Sequence, residues 1–105
     1  MKSALLLFAT VLLAASLCAQ NASDAKAVFA RNCVLCHGAD GHAQTPAGKT
    51  MQAADLTAPA VQGQSNSQLR NAIAKGKGKM PAYGPALGDH GLDAMVNYIR
   101  TLKAK

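Results

Sequence analysis

Cys33 and Cys36 stand three residues apart, and His37 follows them directly in the stretch NCVLCHGADG. Paired thiols of this kind serve a disulfide switch, a zinc site or covalent haem attachment. A thioredoxin-like switch needs its cysteines beside a strand–helix–strand unit, whereas here a helical pattern runs into Cys33 and no strand pattern is evident. Structural zinc takes four ligands, usually from two separated pairs. His37, His42 and His90 would have to complete such a set, and their spacing matches no second pair. C-x-x-C-H is the attachment signature of c-type haem. Residues i, i+3 and i+4 share one face of a helical turn. Both sulfurs can therefore form thioethers with vinyl groups while the His37 imidazole reaches the iron from the same side. The motif predicts Cys33 and Cys36 as covalent anchors, His37 as an axial ligand and one haem c as cofactor.

Three helical segments are available to hold this turn. The first spans about Asp24 to Asn32, with Ser23 as N-cap, and leads straight into Cys33. The second spans about Ser67 to Lys75, capped by Asn66 or Ser65 and stopped by Gly76, with Leu69, Ala72 and Ile73 on one face. The third spans about His90 to Lys103, capped by Asp89 or Gly88; Leu92, Val96, Ile99 and Leu102 form its stripe, with Met95 beside it. A fourth stretch, Gly48 to Ala54, is weakly patterned. No segment alternates with a period of two, so the fold class is all-α. The loops from Gly38 to Gly48 and from Gly76 to Gly88 are long for so small a domain.

The core is thin. Among the 86 residues from 20 to 105, only 13 are Leu, Ile, Val or Phe, about 15 %. A share below roughly 20 % with high net charge ordinarily signals disorder, and small domains commonly need a staple. A haem supplies the missing apolar bulk; a zinc ion fills far less of it.

The chain resembles the class I c-type cytochromes, in particular the short single-haem bacterial and photosynthetic forms. The resemblance rests on FARNCVLCHGADG, on GKGKMPAYG and on LDAMVNYIRTL, and covers nearly all of residues 24–103. It implies three to four helices wrapped around one covalently attached haem, the first crossing the last, and electron transfer rather than substrate turnover. Phe29 and Tyr98 are then expected to meet at the crossing. Ala25 or Ala27 stands where many relatives carry a crossing glycine.

Iron bound by His37 needs a sixth ligand, and a thioether there favours the ferrous state. Met95 lies by the stripe of a helix and reads as core filler, as does Met51 near the weak segment. Met80 lies in GKGKMPAYG, where Gly76 and Gly78 let the backbone approach a flat cofactor and Pro81 stiffens the strap. The family resemblance points to the same residue. His42 and His90 read as surface histidines, His42 being able to displace Met80 in a misligated state. The carbonyl of Pro46 is a candidate acceptor for the His37 Nδ1 proton, the alternative being an ordinary turn proline. Tyr83 is a candidate to pack on the haem or donate to a propionate, the alternative being an ordinary packing role.

Lys75, Lys77 and Lys79 lead into Met80 and would give the haem edge a basic rim for an acidic redox donor or acceptor, the alternative being a loop kept soluble by its lysines. Basic residues without interleaved aromatics argue against nucleic acid. Residues 1–19 have the pattern of a signal peptide, with Lys2 before an apolar run from Ala4 to Ala15. Cleavage after Ala19 leaves residues 20–105 as one haem domain, exported to the periplasm, or to the thylakoid lumen of a photosynthetic organism, with no membrane span. That domain carries ten Lys and Arg against five Asp, a net charge of +5. Cys18 would anchor a lipid only if cleavage fell before it, and Leu17 fits that poorly. The sequence therefore predicts a soluble, monomeric electron carrier. The alternatives are a haem subunit of a larger oxidase or dehydrogenase, and a small peroxidase or gas sensor with a labile sixth ligand.

Overall fold

A computed structural model describes residues 24–104. The leader expected over residues 1–19, Cys18 within it and the Ser23 cap lie outside the described residues. Helix α1 covers residues 24–32 and buries Ala25 and Phe29, which are four residues apart and so share a face. The remaining helices are α2 (Val34–His37), α3 (Pro46–Met51), α4 (Pro59–Gln62), α5 (Asn66–Lys75) and α6 (Gly84–Arg100). The fold is the all-α one that the periodicity predicts, with several single turns added.

Local chemistry explains each boundary. Ser65 caps α5 in a capping box: its side chain accepts from Gln68 N–H while the Gln68 side chain accepts from Ser65 N–H. Thr45 caps α3 and Pro46 takes its first helical position; Pro59 does the same for α4. The single turn α4 is too short to leave a periodic signal. The last helix begins six residues earlier than its apolar stripe suggests, because a turn from Gly84 to Leu87 precedes it. Gly88, at φ 66° and ψ 178°, separates that turn from the continuous helix. It ends at Arg100 rather than Lys103, where Thr101 Oγ1 donates to the Tyr98 carbonyl.

The core joins Phe29, Leu56, Val61, Leu69, Ile73, Leu92, Met95, Val96 and Ile99. Met95 is its most enclosed side chain, at 1 % exposure, as core filler should be. Met51 is not filler: it is 40 % exposed, because α3 packs through its backbone and buries only Gly48. The Phe29 and Tyr98 rings meet as expected, with centroids 5.0 Å apart and planes tilted by 55°. Ala25, and not Ala27, is the buried alanine of α1. Helix α5 packs on α6, and Arg70 braces the pair by donating to Asp89 at 2.7 Å and Asp93 at 3.0 Å, both just beyond Gly88. Phe29→Ala removes the one large aromatic of α1 and is expected to cost about 3–5 kcal/mol in a denaturant titration.

Candidate functional site

The site grows out of the end of α1. Cys33 N–H donates to the Phe29 carbonyl at 2.9 Å, and the Cys33 carbonyl accepts from Cys36 N–H at 3.2 Å and His37 N–H at 2.8 Å. The motif is thus a continued helical turn, and positions i, i+3 and i+4 lie together as the spacing predicts. Both cysteines are free thiols and half-buried. Burial, and secondarily a charge on Cys36, pushes the Cys33 thiol up to about 11. Leu35, between them, is 73 % exposed.

His37 is buried, and its Nδ1 lies 2.9 Å from the Ala54 carbonyl. A carbonyl only accepts, so Nδ1 carries the proton and Nε2 keeps a free lone pair. Pro46 does not fill this role. It is committed as the first residue of α3, and the chain beyond that helix brings Ala54 to the ring instead. No side chain marks Ala54 in the sequence, so only the fold reveals it.

Thr45 ties the motif to α3. Its hydroxyl contacts the Leu35 carbonyl at 2.6 Å and the Cys36 carbonyl at 3.3 Å, and accepts from Gly48 N–H at 2.9 Å. A Cβ on Gly48 would overlap the Cys36 carbonyl oxygen. Gly48→Ala is therefore expected to cost about 3 kcal/mol and to lower haem incorporation, read as the haem absorbance per unit of purified protein.

Met80 lies on the strap between α5 and α6. Lys77 and Met80 exchange backbone hydrogen bonds of 3.2 and 2.9 Å across a turn whose first central residue is Gly78, at φ 57°. Gly76 also has positive φ, and a Cβ there would sit 2.6 Å from the Met80 carbonyl. Its neighbour is thus the strap itself. Tyr83 fastens the far end: its N–H donates to the Ile73 carbonyl at 2.9 Å and its hydroxyl to the Asn32 carbonyl at 3.3 Å. That second bond joins the strap to the residue preceding Cys33. Met80 and Cys33 both pack, half-buried, against the same core. Lys75, Lys77 and Lys79 are exposed.

The remaining histidines stay apart from this arrangement. His90 is exposed on α6, and His42 is half-exposed beside Asp55. Among the described residues no three His, Cys, Asp or Glu side chains cluster as a metal site, so a zinc ion finds no complete ligand set there. The donor set suits a haem: two free thiols on one turn, a buried imidazole with one nitrogen open, and a thioether bordering the same apolar core.

Comparisons with known proteins point to the same cofactor. The family described as cytochrome c oxidase, cbb3-type, subunit III matches residues 20–99. The chain is similar to cytochrome c6 of Bryopsis maxima, at 33 % identity over 72 residues, which is 69 % of this chain and 81 % of the relative. It is similar to cytochrome c6 of Cladophora glomerata, at 31 % identity over 77 residues, 73 % of this chain and 84 % of the relative. Among solved structures, the KustC0563 c-type cytochrome superposes with a TM-score of 0.69 at 23 % identity, covering 75 % of this chain and 96 % of that one. At that identity the likeness bears on the fold alone.

Proposed function

We infer function from one premise: the chain belongs to the class I c-type cytochromes and carries electrons on covalently bound haem c. Beyond that premise, it is a soluble carrier that works after export, with residues 1–19 removed as a leader. Cys33 and Cys36 would hold the haem through thioethers, and His37 Nε2 and Met80 Sδ would ligate its iron. When bound, the haem supplies a one-electron ferrous/ferric couple. The residues around it do the rest. The Ala54 carbonyl keeps His37 in the tautomer that ligates. The turn between Lys77 and Met80 presents the thioether. The core of Phe29, Ile73, Met95 and their neighbours excludes water.

The observation that supports this reading most is the bond from Tyr83 to the Asn32 carbonyl. It brings the methionine strap to the end of the helix that leads into the cysteines. The exposed Lys75, Lys77 and Lys79 then border the haem edge and favour brief docking with acidic redox partners.

The test is an absorption spectrum of the purified exported protein. Reduction is expected to give the sharp α and β bands of low-spin c-type haem, and the ferric form the weak long-wavelength band of sulfur ligation. A high-spin spectrum that responds to carbon monoxide would instead indicate a peroxidase or sensor. A second reading, a haem subunit within a larger oxidase, is favoured by the oxidase description of the matching family. Co-purification of a membrane complex with a tagged chain separates it from a free carrier.

A further inference from the structure

Two polar residues are buried among those described, His37 and Thr57. They lie on either side of the same short segment. His37 Nδ1 donates to the Ala54 carbonyl, and Thr57 closes the turn that begins at the next residue, Asp55. Asp55 Oδ1 accepts both from Thr57 N–H at 2.9 Å and from its hydroxyl at 2.7 Å. A simple Asx turn needs only the first of these. The second Asp55 oxygen faces His42 Nδ1 at 3.4 Å, and the Thr57 hydroxyl oxygen faces the same nitrogen at 3.3 Å. Having donated its proton to Asp55, that hydroxyl accepts from His42.

The segment is held from outside as well. Leu56 N–H donates to the Gly41 carbonyl at 2.8 Å, and the Leu56 carbonyl accepts from Gln62 Nε2 at 2.7 Å. On the other side His42 N–H donates to Asp40 Oδ1 at 3.0 Å. The Thr57 hydrogen bonds, followed by those of His42, hold the Asp55 carboxyl below its ordinary value, so it stays an acceptor at neutral pH. The peptide linking Ala54 to Asp55 therefore has little freedom to rotate, and its carbonyl stays aimed at the His37 ring.

We propose that Thr57, with Asp55 and His42, is a positioning residue for the haem iron: the three fix the Ala54 carbonyl on His37 Nδ1 and so set the donor strength of the axial imidazole. This rests on His37 being the iron ligand. A firm Nδ1–H···O bond makes the imidazole a stronger donor. Stronger donation stabilises ferric over ferrous iron and lowers the midpoint potential. Loosening the turn weakens that bond and raises the potential.

The test compares Thr57→Val, which keeps the side-chain shape and drops the hydroxyl, with Thr57→Ser, which keeps the hydroxyl. Both are made in the haem-loaded protein and measured by redox titration. In parallel, the His37 Nδ1 proton is followed by NMR in the ferrous state. Thr57→Val is expected to raise the ferrous-to-ferric ratio at fixed ambient potential by up to about tenfold, about 59 mV for one electron. Its Nδ1 proton should exchange faster, while Thr57→Ser matches the wild type in both. Equal shifts in the two variants, or none in Thr57→Val, overturn the proposal. Should Thr57→Val fail to fold, His42→Ala takes its place. That side chain is half-exposed, and its loss is expected to give a smaller shift of the same sign; no shift overturns the proposal. A wild-type spectrum without low-spin, histidine-ligated iron overturns the ligand assignment and this proposal together. A low-spin wild type with unresponsive variants overturns this proposal alone.

Discussion

With Met80 as the proposed iron ligand, its replacement by alanine is expected to lower the midpoint potential by on the order of 0.2 V, within the ~0.8 V span that axial ligands cover, and to let carbon monoxide bind the ferrous protein. The thioether favours ferrous iron, so its loss favours the ferric state. A site left open by Met80 would then be free for water or an added ligand. The ferric long-wavelength band is expected to disappear with the sulfur. Two other methionines make the result specific. Met95, at 1 % exposure, is core; Met95→Ala is expected to cost about 2–5 kcal/mol while the spectrum stays low-spin. Met51 is exposed at the end of α3, and Met51→Ala is expected to change neither stability nor spectrum. Carbon monoxide binding by the unaltered protein would move the assignment away from Met80.

A Cys33→Ala/Cys36→Ala double variant is expected to accumulate without covalent haem and to lose its cooperative thermal transition. Typical domains are stable by only about 5–15 kcal/mol. This one reaches a folded state with nine clustered core side chains, few of them aromatic. Thioether anchors at Cys33 and Cys36 would hold a large apolar body against this core, and binding that exists only in the folded state adds directly to stability. Circular dichroism melting of the double variant beside the haem-loaded protein checks this. A cooperative melt near the wild-type temperature would mean that protein side chains alone suffice.

Residues that carry their own signal were legible in the sequence. The i, i+3, i+4 placement of Cys33, Cys36 and His37 follows from spacing, and the continued turn bears it out. The stripe of Leu92, Val96 and Ile99 marks the last helix, and α5 is read correctly from Leu69, Ile73 and the Ser65 cap. The contact between Phe29 and Tyr98 was expected from family likeness. What could not be read depends on backbone brought together by the fold. The acceptor for His37 is the peptide carbonyl of an alanine, so a proline in the following loop looked as plausible. The turn from Gly84 to Leu87 lacks an apolar period. Met51 was misread because a methionine near a weak helix resembles filler, whereas α3 meets its neighbour through Gly48 and the Thr45 hydroxyl. The Thr45–Pro46 pair carried a usable helix-start signal that would have placed α3 two residues earlier.

The ring contact between Phe29 and Tyr98 joins positions 69 residues apart, and this separation bears on the order of assembly. Closing a flexible loop of that length costs about 4 kcal/mol of chain entropy, while each doubling of loop length adds only about 0.6 kcal/mol. An iron–sulfur bond at Met80 would act as a cross-link to the cysteine turn. The last helix would then close a span of some two dozen residues, at a cost lower by about 1 kcal/mol. A histidine bound in place of Met80 redistributes that saving. His42 closes only five residues and leaves the terminal helices almost as far apart along the chain as before. His90 pulls the last helix in by its first turn with the methionine strap still undocked. Folding of the ferric, haem-loaded chain should therefore show a slow phase that disappears when added imidazole keeps His42 and His90 off the iron.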